Sequence, residues 1–317
     1  MTELRVDWDQ PGAMGQEGWD ALLAQCPRAN PFQSWSFGAA TAVTHRSRNR
    51  RAVILAGARP IGLMQVTERR YAGCFTFAQL IRGPLFVGGP ETAAALPLVL
   101  RLLRRDYRPS RLSVLALTPE LDEGPLADAF LKQAGYNRVK TGYSSAWLDL
   151  TPNQRLLRRG LRHNFRNQLK RTEEEGALEI AIGGDPERDW LLARHREHRR
   201  AGRYTGPKPE LLAALPIEEV LALTARPVGA GPDAPPIAGV LFLRHGRTAT
   251  YEVGWSGEEG RATHAHNLLL WRGLLELKAR GARRLDLGGF DDADAGGAAH
   301  FKRGLGGEPF TLAGTFV

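Results

Sequence analysis

Cysteine is almost missing from this chain of 317 residues: only Cys26 and Cys74 occur, far apart, with no CxxC and no histidine cluster at metal spacing. A disulfide framework and a structural zinc site are excluded, and a reducing cytoplasm is the expected setting. Long apolar runs are missing too. The longest, such as Ala93 to Leu103, are interrupted by Pro97 and Arg101 and fall far short of the ~20 residues a membrane helix needs. The N-terminal stretch is acidic and polar where a secretory signal needs a basic start and an apolar run, so no export is expected. A GxSxG elbow, a P-loop lysine motif and a GxGxxG fingerprint are also absent, which removes sequence support for serine hydrolases, P-loop nucleotidases and Rossmann dehydrogenases.

What is present is an ordinary globular composition, 43% hydrophobic, 24% charged and 8% aromatic, enough for a real core. The length exceeds the ~100 to 200 residues of one ordinary domain. Forty-three Lys plus Arg against thirty-four Asp plus Glu give a net charge of +9. The basic residues are overwhelmingly arginine, whose planar fork suits phosphate and carboxylate, so a polyanionic partner fits. Association with a membrane surface stays open.

Strand and helix patterns alternate along the chain. The first half reads as a helix over Trp19 to Gln25, strands over Ala52 to Ala56 and Ile61 to Thr67, and a helix over Glu91 to Arg105. A strand over Leu112 to Leu117, a helix over Leu126 to Ala134 and a strand over Ser145 to Leu150 follow. Thr151-Pro152 breaks the pattern, giving expected domains of 1–151 and 152–317. The second half reads as one helix over Gln154 to Glu175, a strand over Leu178 to Ile182, a helix over Asp189 to Arg200 and a proline-rich excursion over Arg226 to Pro236. A hairpin across His245-Gly246-Arg247, a helix over His264 to Arg280 and a strand over Arg284 to Leu287 complete it. Pro60-Ile61-Gly62-Leu63 and Pro236-Ile237-Ala238-Gly239-Val240 open similar segments, which suggests two copies of one α/β unit, each a mixed sheet flanked by helices.

Two segments concentrate charge. Arg155, Arg158, Arg159, Arg162, Arg166, Lys170 and Arg171 share the first helix with no acid between Gln154 and Arg171, while Leu157, Leu161, Phe165 and Leu169 form a buried stripe. Either a solvated surface or a phosphate-binding face accounts for this pattern. Arg194, His195, Arg196, His198, Arg199, Arg200 and Arg203 form a second cluster with one acid, Glu197, leading into Tyr204. If both clusters fall on one side, a nucleic-acid backbone or a diphosphate fits there. His264 and His266 are two apart with no completing ligand, so surface or packing histidines are favoured over a metal site. Asp291, Asp292 and Asp294 lack the Gly and the closing Glu of a calcium loop, so an acidic turn is the favoured reading. No metal and no cofactor is expected.

The hairpin, helix and strand of the second half resemble the core of the GNAT acyltransferase superfamily. Acyl-CoA users of that fold place small residues before the central helix so that backbone N–H groups reach the pyrophosphate. Here Arg261-Ala262-Thr263-His264-Ala265-His266 sets His264 and His266 where small residues are required, so the CoA cradle is compromised. Over nearly the whole chain the sequence resembles the FemAB family of aminoacyl-tRNA-dependent peptidyltransferases, which are duplicated GNAT-like domains. The resemblance is carried by Asn30-Pro31-Phe32-Gln33-Ser34-Trp35, Arg82-Gly83-Pro84, the Arg/Asn-rich helix ending in Glu175-Gly176, Arg200-Ala201-Gly202, Leu270-Trp271, Gly281, Asp286-Leu287-Gly288-Gly289-Phe290, Phe301-Lys302 and Gly306-Gly307. No coiled-coil arm follows the Arg-rich helix, so the chain looks like a compact member.

The resemblance implies transfer of an aminoacyl group from charged tRNA to an amine of a peptide or cell-wall-precursor acceptor. An aminoacyl ester is already activated, so the reaction needs alignment and charge stabilisation but no protein nucleophile or metal. In this reading Lys302 stabilises the oxyanion or holds the terminal phosphate, and Phe301 stacks on the terminal adenine. Arg200 binds the acceptor diphosphate. Trp35 and Tyr204 join the substrate-binding residues, while Arg158, Arg159, Arg162 and Arg166 hold tRNA phosphates. Arg82 shapes the cleft floor or forms a structural salt bridge. Asp286 orients the amine or Lys302, or caps the Gly288-Gly289 turn. An N-acyltransferase drawing on acyl-CoA or an acyl carrier protein, and a non-catalytic module that binds RNA or another anion, are the competing readings.

Overall fold

A computed structural model of the chain describes residues 3–8, 11–89, 91–201, 206–231, 233–290 and 298–317. The chain divides into two compact units: one holds the chain up to Ser144 with residues 245–247 and 310–317, the other residues 145–244 and 248–309.

The first unit is built on a mixed sheet. Its strands are β1 (Leu4–Trp8), β2 (Arg48–Ala56), β3 (Arg59–Tyr71), β4 (Phe75–Ile81), β5 (Leu85–Phe86), β6 (Ser113–Thr118) and β7 (Arg138–Lys140), joined by the C-terminal β15 (Thr315–Phe316). The order is β1-β2-β3-β4-β6-β15-β7, with β5 paired to β3. The first four are antiparallel neighbours, and β6 runs parallel to β4. A parallel neighbour requires a crossover, which α3 (Glu91–Asp106) supplies after α1 (Pro11–Leu23) and α2 (Trp35–His45). Ala95, Val99, Leu100 and Leu103 give α3 one buried face, and Glu91 at its start and Arg104 and Arg105 at its end match the helix dipole. The remaining helix of this unit is α4 (Pro125–Gln133).

The second unit repeats the scheme. Its sheet has the order β14-β8-β13-β12-β11-β10-β9, from β8 (Ser144–Asp149), β9 (Leu178–Ile182), β10 (Val220–Pro227), β11 (Ala238–His245), β12 (Thr248–Ser256), β13 (Arg284–Asp286) and β14 (Glu308–Thr311). Strands β9 to β12 follow β1 to β4 in order, and β13 runs parallel to β12 as β6 does to β4. The helices are α5 (Gln154–Gly160), α6 (His163–Glu175), α7 (Asp185–Arg200), α8 (Pro209–Ala213), α9 (Glu258–Ala262), α10 (Ala265–Ala279), which is the crossover, and α11 (Ala298–Arg303). The short proline-isoleucine resemblance thus opens two strands of equal rank, β3 and β11.

Sequence and structure differ at two places that matter for the site. The division falls after Ser144 and not after Thr151, because β8 pairs with β13 in the second sheet while β15 joins β6 and β7 in the first. The single helix expected over Gln154 to Glu175 is two helices. Leu161 and Arg162 take extended backbone angles between them, although Leu157, Leu161, Phe165 and Leu169 are all buried as the stripe requires.

Phe316 is 2% exposed although it is the penultimate residue. Phe316→Ala should therefore cost about 3 to 5 kcal/mol in denaturant unfolding. An unchanged midpoint would show that the last strand is no part of the first unit's core.

Candidate functional site

The chemistry-bearing cluster of the second unit gathers where β13 hands over to the Gly288-Gly289 turn. Asp286 ends the strand fully buried; its carboxylate accepts from Gly288 N at 3.0 Å and from the Ser145 hydroxyl. These bonds give Asp286 the turn-capping task and point its carboxylate into the protein. Gly288 has φ +75, and a Cβ there would stand 2.3 Å from Tyr251 O and 3.2 Å from the Lys302 amine, so only glycine fits. Lys302 lies in the last turn of α11. Its Nζ donates to Gly289 O at 2.9 Å and lies 5.4 Å from the centre of the Tyr251 ring.

Next to this amine stands a residue that sequence reasoning set aside. His266, on the first turn of α10, shares a 2.7 Å hydrogen bond between Nε2 and the Tyr251 hydroxyl, and its ring meets Phe301 edge-on at 5.4 Å. Phe301 packs on its other side against Phe165 of α6, also at 5.4 Å. Burial and then the Lys302 charge push His266 down to about 4, so the ring is neutral at physiological pH. Burial raises Tyr251, which stays a phenol. Departure from the small-residue pattern before α10 was the one sequence signal that marked His266.

The arginine-rich helices adjoin this cluster. Arg162 N donates to Gly304 O at 2.9 Å, and a Cβ on Gly306 would stand 2.2 Å from Gly160 O. The turn between α5 and α6 is thereby fastened to the segment that carries Lys302. The positive face is less uniform than the sequence suggests. Arg158 pairs with Glu173, Lys170 with Glu174 and Arg171 with Glu175. Arg166 donates to the carbonyls of Arg159 and Leu161. Arg155, Arg159 and Arg162 are exposed, as is Arg303 on α11.

The second cluster does not share that side of the sheet. On β11, Gly239 faces Trp190 and Leu191 of α7, whereas Phe242, three residues on, faces Gly273 of α10. An odd separation along a strand puts the two on opposite faces. Since α6 is bonded to the start of α10 through Thr172 to Thr263 and Asn267 to Gln168, the two arginine clusters lie on opposite faces of the second sheet. Arg200 is exposed at the end of α7, the helix on the opposite face of the sheet from α6. Tyr204, with Gly202 and Arg203, and the acidic run Asp291, Asp292 and Asp294 lie outside the described residues.

Two expected residues belong to the first unit. Arg82 is 3% exposed, and its guanidinium is committed to Glu120 through Nε at 2.7 Å and Nη2 at 3.0 Å, with the Tyr143 and Phe310 rings 5.1 and 5.7 Å away. This is the structural salt bridge, not a group turned to substrate. Trp35 opens α2 and stacks under Arg51, whose guanidinium is 3.7 Å from the ring centre. Burial lowers Arg51 to about 10, still charged at neutral pH.

The start of α10 is poorly suited to a pyrophosphate. The segment before it is the short helix α9, and three N–H groups leading up to α10 are spent internally: Arg261 to Gly257 O, Thr263 to Glu259 O and His264 to Arg261 O, at 3.0 to 3.2 Å. Thr263 O is also taken by α6. His264 occupies the N-cap with φ 52 and supplies no side-chain cap.

Comparison with known proteins agrees with this architecture. Residues 159–303 match the sequence model of the acetyltransferase (GNAT) domain. No curated protein matches the chain. Among solved structures, FemX superposes with a TM-score of 0.77 at 15% identity, covering 95% of each chain. L-PGS from Bacillus licheniformis gives 0.54 at 12% identity over 95% of this chain and 90% of its own. A tandem GNAT protein from the clavulanic acid biosynthesis pathway gives 0.50 at 14% identity over 99% and 98%. The chain therefore has the duplicated GNAT fold, and the FemAB resemblance holds at the level of the fold. No helix among the described residues is long and apolar enough to cross a membrane.

The depressed His266 makes a stability prediction with a definite sign. Between its ordinary value of 6.5 and about 4, the unfolded chain binds a proton that the folded chain does not, so this contribution is full above pH 6.5 and lost as pH falls towards 4. Its upper bound is about 3 kcal/mol. His195, also lowered by burial, acts in the same direction. The difference between wild type and His266→Gln isolates the effect: the variant should lose less stability between pH 6.5 and 4, and parallel curves would contradict a buried neutral His266.

Proposed function

We propose that this protein transfers an aminoacyl group from the 3′ end of aminoacyl-tRNA to an amine of a peptide or peptidoglycan-precursor acceptor. The observation that carries the reading is the bond from Arg162 N to Gly304 O, which ties the exposed cations of the α5–α6 turn to the segment bearing Phe301 and Lys302. An RNA 3′ end offers complementary chemistry: phosphates for Arg159, Arg162 and Arg303, a terminal base for the aromatic edge at Phe301, and an activated ester for Lys302.

Aminolysis of an ester builds negative charge on the carbonyl oxygen. A fixed cation stabilises that charge more than it stabilises the substrate. Lys302 is held by Gly289 O and a ring face, so little reorganisation is needed when the charge appears. The internal commitment of the Arg261, Thr263 and His264 N–H groups before α10 favours this donor over acyl-CoA. Two structural neighbours have names consistent with the same class: FemX, and the C-terminal domain of a putative lysylphosphatidylglycerol synthetase from Agrobacterium fabrum, with a TM-score of 0.50 at 12% identity over 80% of each chain. The donor places the reaction in the cytoplasm.

Three donors carrying the same label, aminoacyl-tRNA, acyl-CoA and acyl carrier protein, separate the readings when each is offered with amine acceptors. Transfer from the tRNA ester is expected. Transfer only from the thioesters would reassign the donor, and transfer from none, with RNA still bound, would leave a binding module. Lys302→Ala should lower kcat by about 100-fold or more with a much smaller loss of tRNA affinity; equal losses would make Lys302 a phosphate anchor. Arg159→Glu with Arg162→Glu should weaken tRNA binding and flatten its dependence on salt by about one unit of logarithmic slope per lost phosphate contact. An unchanged slope would assign those arginines to solvent.

A further inference from the structure

The bond between Tyr251 and His266 has no part in the scheme above, yet it lies beside the amine that defines the site. Tyr251 comes from β12 and His266 from α10, and the two meet over Gly254. A Cβ on Gly254 would stand 1.9 Å from the Tyr251 hydroxyl and 2.9 Å from His266 Cε1 and Nε2. Gly254 is exposed, and the Tyr251 hydroxyl takes the place that a side chain there would fill. His266 and Lys302 are both half-buried. Tyr251 is 7% exposed and its ring belongs to the core, but its hydroxyl end lies beneath an exposed glycine and against a half-buried histidine, with the Lys302 amine 5.4 Å from its ring centre.

We propose that Tyr251 and His266 form a proton relay for acyl transfer at Lys302, a role that rests on the acyl-transfer reading and adds the missing proton acceptor to it. The nitrogen lone pair of the acceptor amine attacks the acyl carbon and forms the C–N bond, while the carbonyl electron pair moves to the oxygen facing Lys302. The amine gives its proton to Tyr251 Oη as the Tyr251 proton passes to His266 Nε2. Collapse of the intermediate breaks the ester C–O bond, and the relay returns the proton to the departing 3′ oxygen. Ester and amine become amide and alcohol, with no oxidant, reductant or metal consumed. Tyr251 is the catalytic residue, and His266 acts through it as the positioning residue and proton store.

The electrostatics couple the two halves of the step. In the resting site the Lys302 charge helps to keep His266 deprotonated. As the oxyanion forms it offsets that charge, so His266 becomes a better base in the intermediate than in the free protein. Stabilisation present only after attack is the kind that lowers a barrier.

The test uses the full chain with whichever of the three labelled donors it accepts, because all of them require the same proton transfer. Tyr251→Phe keeps the ring and removes only the hydroxyl. It should lower the single-turnover rate by about 100-fold or more while the donor KM and the melting temperature stay close to wild type. Single turnovers of the wild type in mixtures of H2O and D2O should show an isotope effect with a curved dependence on deuterium fraction, from more than one proton in flight, and Tyr251→Phe should lose the curvature. The isotope measurement on wild type decides the matter if a variant proves unstable. A Tyr251→Phe rate within twofold of wild type, or a wild-type rate with no isotope effect, would overturn the relay while leaving acyl transfer intact. Absence of transfer from every donor would overturn both.

Discussion

One close approach of backbone to backbone governs the second unit. Gly160 O approaches Gly306 so closely that a Cβ at Gly306 would stand 2.2 Å from it, and the Arg162 N to Gly304 O bond closes the contact. That bond uses an N–H group that a continuous helix would keep for itself, which accounts for the break between α5 and α6. The break lets Phe165 face Phe301 and sets α11 so that the Lys302 amine meets Gly289 O. Every group assigned a chemical task in this unit is positioned through the contact or packs on something that is.

Charge in the same region is arranged by subtraction. The acids Glu173, Glu174 and Glu175 pair with Arg158, Lys170 and Arg171, while Arg155, Arg159 and Arg162 stay exposed. Surface pairs of this kind add little stability, so their consequence is the pattern of charge. Within the cluster, His266 is kept neutral next to Lys302, so the pair carries a single positive charge. The first unit handles its arginines differently: Arg82 and Arg51 are sealed against Glu120 and Trp35 and hold the fold.

Sequence periodicity carried much of the architecture. The stripe Leu157, Leu161, Phe165 and Leu169, the hairpin on either side of Gly246 and the helix between β12 and β13 were legible because each is decided by local pattern. The break at Leu161–Arg162 was not, since its cause is Gly304, more than a hundred positions along the chain. Strand β10 escaped notice because Val220 to Ala225 are all buried and show no alternation. Ion-pair partners were equally hidden: nothing near Arg82 in sequence announces Glu120. Lys302 was found through a motif, whereas His266 was set aside because its partners, Tyr251 on a strand and Phe301 on a later helix, converge on it only in three dimensions.

The claim at the centre of this account is that the surface around Phe301, Lys302 and Tyr251 receives the esterified end of an RNA. The most direct measurement is photo-crosslinking with an aminoacyl-adenosine analogue bearing a photoreactive group on its acyl moiety, followed by mapping of the modified peptide. The account predicts adducts within residues 298–306 or on the segments around Tyr251 and His266, suppressed by charged tRNA and not by acyl-CoA. Adducts confined to the first unit, or suppressed by acyl-CoA and indifferent to charged tRNA, would contradict it.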